Sequence, residues 1–115
     1  MRKTYTEEDK NIIMTIGQIR ELCNNSKIEV SGHMLQRMSQ RHISFSEVKE
    51  VIMNGEIIEE YPDDYPYPSC LVFGYTIKSR IIHTVVGIGD NKLWLITVYE
   101  PDPEQWSEDL RVRKG

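Results

Sequence analysis

In the first half of the chain, apolar residues recur at three- and four-residue steps, which is the period of an amphipathic helix. The first such segment predicts one helix over about residues 7–24, with Thr6 as its N-terminal cap and acidic residues in its first turn. The polar residues Asn24, Asn25 and Ser26 end it. Its apolar stripe consists of Ile12, Ile13, Ile16, Ile19, Leu22 and Cys23.

Two shorter helices are predicted next. Ser31 is placed to cap the first of them, and a further helix is predicted over residues 47–53, for which Ser44 and Ser46 are both suitable caps. Gly55 tolerates a left-handed turn and is expected to end that helix in this way. The apolar positions of the two helices are Met34, Leu35 and Met38, then Val48, Val51 and Ile52.

After Gly55 the pattern changes to the extended period and predicts strands. The predicted strands are 56–61, 70–77, 80–89 and 92–99. The polar breaks at residues 78–79 and 90–91 are the size of hairpin turns, so an antiparallel meander is expected. The proline-rich segment 62–68 predicts an ordered loop or edge, and residues 27–30 predict a brief strand or an extended link.

The segment after the last strand is predicted to return to the domain. Pro101 and Pro103 end the sheet, Trp106 is expected to pack the tail back onto it, and residues 111–115 are expected to fray. With 115 residues and 39% apolar content, the chain is large enough for one hydrophobic core and too small for two. We therefore expect a single α+β domain over residues 1–115, with N-terminal helices packed on a C-terminal antiparallel sheet of about four strands.

Charge narrows the possible partners. The net charge of −4 argues against a protein whose whole surface attracts nucleic acid. Residues 1–55 carry eight Lys or Arg and seven Asp or Glu, whereas residues 56–115 carry six and eleven. Between residues 31 and 49, three basic residues outnumber one acidic residue, which predicts a local basic face in an acidic protein.

Cysteine usage and hydropathy indicate the compartment. Cys23 and Cys70 lie in apolar runs and are expected to be buried free thiols in a reducing environment. The start of the chain has no apolar signal region, and no apolar run approaches the roughly 18 residues of a membrane span. We therefore expect a cytoplasmic protein with no membrane partner.

A set of polar residues on the second helix and the last two strands could carry chemistry. Its helix members recur at four-residue steps, and two of its strand members share one face of the sheet. If the two groups meet, imidazoles, guanidiniums and a phenol lie together, as metal-free RNA cleavage requires. The set consists of His33, Arg37, Arg41, His83, Thr97 and Tyr99.

These residues also have structural explanations. A histidine inside a strand is more often a satisfied core residue, and Arg37 and Arg41 fit a solvated helix face. His33, Cys70 and His83 are zinc-type ligands, but no short metal-binding motif supports a site, so we expect no metal and no other cofactor. Apolar neighbours are expected to bury Cys70, which argues against a nucleophilic role.

Several strings of residues carry a resemblance to a known family. The strings are SGHMLQRMSQRHISFSEV from Ser31, NGEIIEEY from Asn54, PYPSCL from Pro66, IHTVV from Ile82 and ITVYEPD from Ile96. They resemble the domain-of-unknown-function 4258 family over about residues 28–106, which sets residues 1–27 apart as an N-terminal helix extension and residues 107–115 as a tail.

This resemblance implies a fold and an activity. The family is similar, more distantly, to RelE-like and MqsR-like toxins, which are small metal-independent ribonucleases with helices packed on an antiparallel sheet. The resemblance therefore implies a RelE-like fold, an RNA substrate and, as partner, a small zinc-finger antitoxin of the MqsA type. Its pattern falls on the same six polar residues named above.

The function expected from these observations is a toxin-like, metal-independent endoribonuclease of a toxin–antitoxin pair. Arg37 and Arg41 would bind the scissile phosphate, His83 or His33 would transfer protons, and Tyr99 would orient the substrate or donate a proton. The alternative is a non-catalytic module in which the cationic face docks an acidic protein or peptide and the sheet edge accepts an added strand. The oligomeric state stays open, with the first helix as a candidate dimer seam.

Overall fold

The structure, a computed structural model, describes residues 14–115. Within these residues three helices and five strands form, and the α+β class is confirmed. No helix in this part of the chain is long and apolar enough to cross a membrane. In chain order the elements are α1 (Ile16–Asn24), β1 (Ile28–Val30), α2 (Gly32–Arg41), α3 (Phe45–Asn54), β2 (Glu56–Tyr61), β3 (Ser69–Tyr75), β4 (Ile81–Gly89) and β5 (Lys92–Tyr99).

The strands form one mixed sheet in the order β1-β5-β4-β3-β2. Strands β2 to β5 pair antiparallel with their neighbours in the chain, so the predicted meander is confirmed. The prediction of a purely antiparallel sheet of about four strands is wrong at one edge, where β1 pairs parallel with β5. The turn after α1 brings the chain against β5, and the Lys27 carbonyl accepts a hydrogen bond from the Leu93 amide at 2.8 Å.

Helix α1 begins later than the apolar period predicts. Thr15 is its extended N-cap and forms a capping box with Gln18, in which each side chain bonds the backbone amide of the other residue. The prediction of one continuous helix over residues 7–24 is therefore wrong at residues 14 and 15. Thr6 and the first part of that predicted helix lie outside the described residues.

The other two helices begin at serine caps. Ser31 caps α2, and Ser44, rather than Ser46, caps α3. In each case the serine hydroxyl accepts a hydrogen bond from the backbone amide three residues later. Both helices therefore start where the sequence pattern predicts, within a few residues.

Gly55 follows α3 for a reason that differs from the predicted one. Its backbone is extended, with φ −85° and ψ 178°, so the expected left-handed turn is absent at this residue. A Cβ at this position would lie 2.3 Å from the Val51 carbonyl oxygen and 2.7 Å from that of Phe73. The close approach of α3 to β3 requires glycine here.

One face of the sheet packs against the helices. Helix α2 contacts β5, α3 contacts β3, and α1 packs against α3. The sheet contributes the core residues Cys70, Val72, Ile82, Val86, Leu93, Leu95 and Val98, and the helical segment contributes Ile19, Cys23, Met34, Ile43, Val48, Val51 and Ile52.

Part of the opposite face is covered by residues 101–115, which we call the C-terminal strap, and part by the proline-rich loop, whose Tyr67 ring packs on Trp94. Trp106 is 2% exposed, and its ring centroid lies 4.5 Å from that of His83 in β4. The predicted return of Trp106 to the domain is therefore confirmed.

Two arginines near the end of the strap also contact the sheet. Arg111 forms an ion pair with Glu56 and lies 4.1 Å above the centroid of the Phe73 ring. Arg113 forms an ion pair with Glu59, with 3.0 Å between Nε and Oε2. The prediction that this end of the chain frays is wrong for these two residues, because their guanidiniums bind carboxylates of β2.

We expect Gly55→Ala to lower the free energy of unfolding by about 1–3 kcal/mol, because the new methyl group must displace the backbone of α3 or β3. Gly32→Ala is the matched control, since a Cβ at Gly32 meets no atom within 4 Å. The control should stay within about 1 kcal/mol of the wild type, on the stabilising side. Urea unfolding followed by circular dichroism measures both variants, and equal destabilisation would contradict the assigned role of Gly55.

Candidate functional site

The pairing of β4 with β5 places His83 opposite Tyr99 on the strap side of the sheet. The Tyr99 hydroxyl oxygen lies 3.3 Å from the Nδ1 of His83. Thr97 lies two residues before Tyr99 on the same side, opposite Val85. The strand members of the predicted set are therefore neighbours on one surface.

Two hydrogen bonds hold the His83 ring, which is 0% exposed. Its Nε2 lies 2.8 Å from the carbonyl oxygen of Leu110 in the strap. A carbonyl oxygen can only accept, so Nε2 carries the hydrogen, and the unprotonated Nδ1 accepts the hydrogen bond of the Tyr99 hydroxyl. The Trp106 ring stands edge-to-face against the imidazole, at an interplanar angle of 89°. This network sets the tautomer and the orientation of His83.

The burial of this pair keeps both partners neutral. Burial lowers the pKa of His83 below its ordinary value of 6.5, although the Leu110 hydrogen bond and the charge of Glu59 act in the opposite direction. Burial also raises the pKa of Tyr99. At neutral pH the pair is therefore a hydrogen-bonded imidazole and phenol.

Arg80 joins the end of α2 to the neighbouring acids. It donates to the carbonyl oxygens of Arg41 at 3.0 Å and His42 at 2.8 Å. It also forms ion pairs with Glu47 at 3.1 Å and Glu100 at 2.7 Å. These bonds satisfy carbonyl groups at the C-terminal end of the helix, where His42 has the left-handed conformation with φ 53°. Arg80 therefore positions Arg41 and His42.

A shallow cavity of about 730 Å³ opens where α2, β5 and the strap meet. Arg41 is held there by a hydrogen bond of 2.6 Å from its Nη1 to the Val98 carbonyl oxygen, which leaves further N–H groups for a ligand. Arg80 neutralises one of the lining carboxylates. Two guanidiniums, an imidazole, a phenol and two carboxylates line the cavity, from Arg41, Arg113, His42, Tyr99, Glu100 and Asp102.

The structure separates the predicted set into two groups. Arg41 and Tyr99 line the cavity, and His83 lies directly behind Tyr99. His33 is exposed in the first turn of α2, and Arg37 donates a hydrogen bond within the same helix. Neither His33 nor Arg37 is among the described residues that line the cavity. The catalytic roles of the six residues stay predictions.

Sequence patterns did not indicate several of the groups around the cavity. Arg80 is the first residue of a predicted strand, and Arg113 falls in the segment predicted to fray. Their carboxylate partners Glu100 and Glu59 are distant in the chain, so no local spacing relates them. Pro101 indicates where β5 ends, but it does not indicate which side of the sheet the following residues cover.

The thiols and metal-type ligands also have defined places. Cys23 and Cys70 are both buried and free. Burial raises the pKa of Cys70 to about 12, which leaves it protonated and unreactive at neutral pH. Within residues 14–115, no three His, Cys, Asp or Glu side chains form a group that could hold a metal ion.

Acidification should destabilise the protein through His83. Below the ordinary pKa of 6.5 the unfolded chain takes up a proton that the buried imidazole, with its lowered pKa, does not. The free energy of unfolding therefore falls as the pH drops from 6.5 towards the folded-state pKa. His83→Gln does not titrate and should flatten this dependence between about pH 5 and about pH 7, as measured by urea unfolding.

The matched control for this experiment is His33→Gln, since the His33 side chain is exposed. It should keep the wild-type dependence on pH. A His83→Gln variant with an unchanged slope would show that the burial of His83 does not govern the acid sensitivity.

A family model covers most of the described fold. The model of the family described as "Domain of unknown function (DUF4258)" matches residues 30–100, which is more than half of the chain. No curated protein and no solved structure matches the chain. The matched segment includes Arg41, His83 and Tyr99 and ends where the strap begins. The chain therefore belongs to the DUF4258 family.

Proposed function

We propose that the protein is a metal-independent endoribonuclease of the toxin type, with a RelE-like arrangement of helices on an antiparallel meander. The observation that carries this proposal is the cavity at the end of α2, where Arg41, His42 and Tyr99 meet with His83 behind them. A guanidinium, a phenol and two imidazoles in one neighbourhood are groups that acid–base cleavage of a phosphodiester uses.

Each of these groups has a role in the proposed reaction. RNA cleavage without a metal ion needs a base for the ribose 2′-hydroxyl, a cation for the phosphorane and an acid for the leaving oxygen. Arg41 supplies the cation, because its bond to the Val98 carbonyl oxygen fixes the guanidinium and leaves other N–H groups for phosphate. His42, whose imidazole lines the cavity, takes the proton of the ribose 2′-hydroxyl. Tyr99 orients the phosphate or donates a proton to the leaving oxygen, and its O–H, which bonds His83 in this structure, turns to the substrate to do so.

The remaining helix members of the set extend the binding surface. His33 and Arg37 lie on α2 before Arg41, which makes this helix the cationic face of an acidic protein. Among residues 14–115, neither Arg37 nor Arg41 forms an ion pair with an acidic side chain, so both charges are available to an RNA backbone. Thr97, a strand member of the set, lies two residues before Tyr99 and faces the same side of the sheet.

His83 has an indirect role in this structure, where the strap covers its ring. Its Nδ1 holds the Tyr99 hydroxyl, so His83 is a positioning residue for the phenol. Direct proton transfer by His83 requires access to a ring that Trp106 and Leu110 now cover.

The proposed protein partner is a small antitoxin, a zinc finger of the MqsA type, and this part rests on the resemblance to MqsR-like toxins. The chemistry of α2 suits such a partner, because an acidic segment laid over Arg37 and Arg41 would neutralise the cationic face. Binding there would also close the cavity at Arg41 and prevent the access of RNA.

A second candidate function is favoured by the edge of the sheet. Within residues 14–115, strand β2 is the last strand of the sheet and pairs with β3 alone. An edge strand can pair with an added strand, which is how many modules bind extended peptides. In this alternative the protein is a non-catalytic protein- or peptide-binding module, and α2 docks the acidic part of the partner.

We expect purified protein to cleave a mixed, labelled RNA in the presence of a metal chelator. Arg41→Ala should reduce the cleavage rate by about 100-fold or more, because it removes the cation that stabilises the phosphorane. Lys78→Ala is the matched control, since it removes the same charge from an exposed residue of the β3–β4 turn. The control should keep the wild-type rate within about threefold, as expected from a small change in net charge.

Three outcomes would count against the ribonuclease. Inhibition by the chelator would contradict metal independence, and equal losses in Arg41→Ala and Lys78→Ala would show that net charge, rather than the cavity, governs cleavage. If no folded variant of the protein cuts RNA, either with or without ribosomes, the binding module is favoured.

A further inference from the structure

The C-terminal strap separates His83 from solvent. The Leu110 carbonyl oxygen accepts the hydrogen bond of Nε2 at 2.8 Å, and the Trp106 ring stands 4.5 Å from the imidazole. His83 is fully buried as a result, and Tyr99 is only partly exposed. A ligand that approaches His83 from this side of the sheet therefore has to displace the strap.

The strap has hydrogen bonds of its own. The Ser107 amide donates to the Val112 carbonyl oxygen at 2.7 Å, and the Lys114 amide donates to that of Gln105 at 2.9 Å. Trp106 and Arg113 form an antiparallel bridge between these bonds, and Arg113 lies 4.7 Å above the Trp106 ring. Because these contacts join the strap to itself, it can leave the sheet as one unit without breaking them.

The arginine contacts that attach the end of the strap to the sheet are peripheral. Arg111 pairs with Glu56 and covers Phe73, and Arg113 pairs with Glu59. All four charged side chains keep part of their surface in solvent. Such pairs are weak and are screened by salt, so the arginines hold the end of the strap less firmly than strand pairing holds the sheet beneath it.

The boundary of the family match coincides with the start of the strap. The match covers residues 30–100 and contains both His83 and Tyr99, whereas the strap covers residues 101–115. The polar pair thus belongs to the shared domain, and its cover lies outside the matched part.

We propose that the C-terminal strap is a releasable cover that controls access to His83 and Tyr99. In the closed form His83 only positions Tyr99, and in the released form its imidazole is open to a ligand. This inference assigns a regulation to the site and rests on the proposed function only for its effect on RNA. Removing the burial would also return the pKa of His83 towards its ordinary range, where an imidazole exchanges protons near neutral pH.

The test is the reactivity of His83 in the full chain. Arg111→Glu combined with Arg113→Glu places like charges opposite Glu56 and Glu59 and should release the strap. Diethyl pyrocarbonate modifies accessible imidazoles, and peptide mass spectrometry gives the rate at His83 relative to the exposed His33. The double variant should raise this relative rate by roughly tenfold, given the loss of two exposed ion pairs and two arginine–aromatic contacts.

The matched control is Lys78→Glu combined with Lys114→Glu. It makes the same change in net charge, and neither lysine forms an ion pair with an acidic side chain of the described residues. This control should keep the slow modification of His83. Added salt should speed the modification in the wild type, because it screens the two arginine pairs, and should have little effect in the released variant.

Hydrogen exchange distinguishes release from unfolding. The backbone amides of β3, β4 and β5 should stay protected in the released variant, since the strap leaves the strand pairing intact. An unchanged His83 rate, an equal rise in the lysine control, or a loss of protection across the sheet would each overturn the proposal.

RNA cleavage is measured separately, with Arg111→Glu alone, because Arg113 lines the cavity. Faster cleavage by this variant supports the strap and the ribonuclease together. Faster modification of His83 with no cleavage by any variant leaves the strap proposal standing and refutes the ribonuclease. Cleavage with a His83 rate that never changes refutes the strap proposal alone.

Discussion

Strand β3 is buried on both of its faces, with every residue from Ser69 to Gly74 inside the protein. A sheet with such a strand needs a layer on each side, because the cost of exposing either apolar face is large. The helices that precede the sheet cover one face. Among the described residues, the segment after β5 and the proline-rich loop 62–68 share the other, with Tyr67 packed on Trp94. The burial of His83 and the position of the cavity both follow from how β3 must be enclosed.

The sequence predicted the elements that local signals define. The bounds of β2 and β5 match the structure because Gly55, the proline-rich loop and the polar turn at residues 90–91 punctuate the extended pattern. The parallel strand β1 has only three residues, and its partner lies more than sixty residues away, so no local signal reveals the pairing. The later start of α1 is hidden because the apolar period continues across Thr15, whose cap depends on two hydrogen bonds with Gln18.

The sequence predicted which candidate residues share an element better than it predicted how those elements meet. Helix spacing and strand alternation correctly grouped Arg41 with its helix and Tyr99 with Thr97, since both patterns are local. They cannot show that the helix lies on one side of the sheet while the strand residues face the other. Arg41 reaches the cavity at the end of β5, where its guanidinium binds the Val98 carbonyl oxygen. The position of Arg80, between two acids and the end of α2, is likewise a product of tertiary packing.

The hydrogen bonds of His83 also affect how sequences of related proteins should be compared. The side chain at this position must present a donor to the strap and an acceptor to a phenol, from opposite edges of one flat group. Lysine and arginine offer no acceptor, an ionised carboxylate offers no donor, and asparagine is shorter than imidazole. Architecture alone therefore favours histidine or glutamine here. In relatives that lack a strap, a histidine retained at this position would be a stronger sign of chemistry than in proteins that have one.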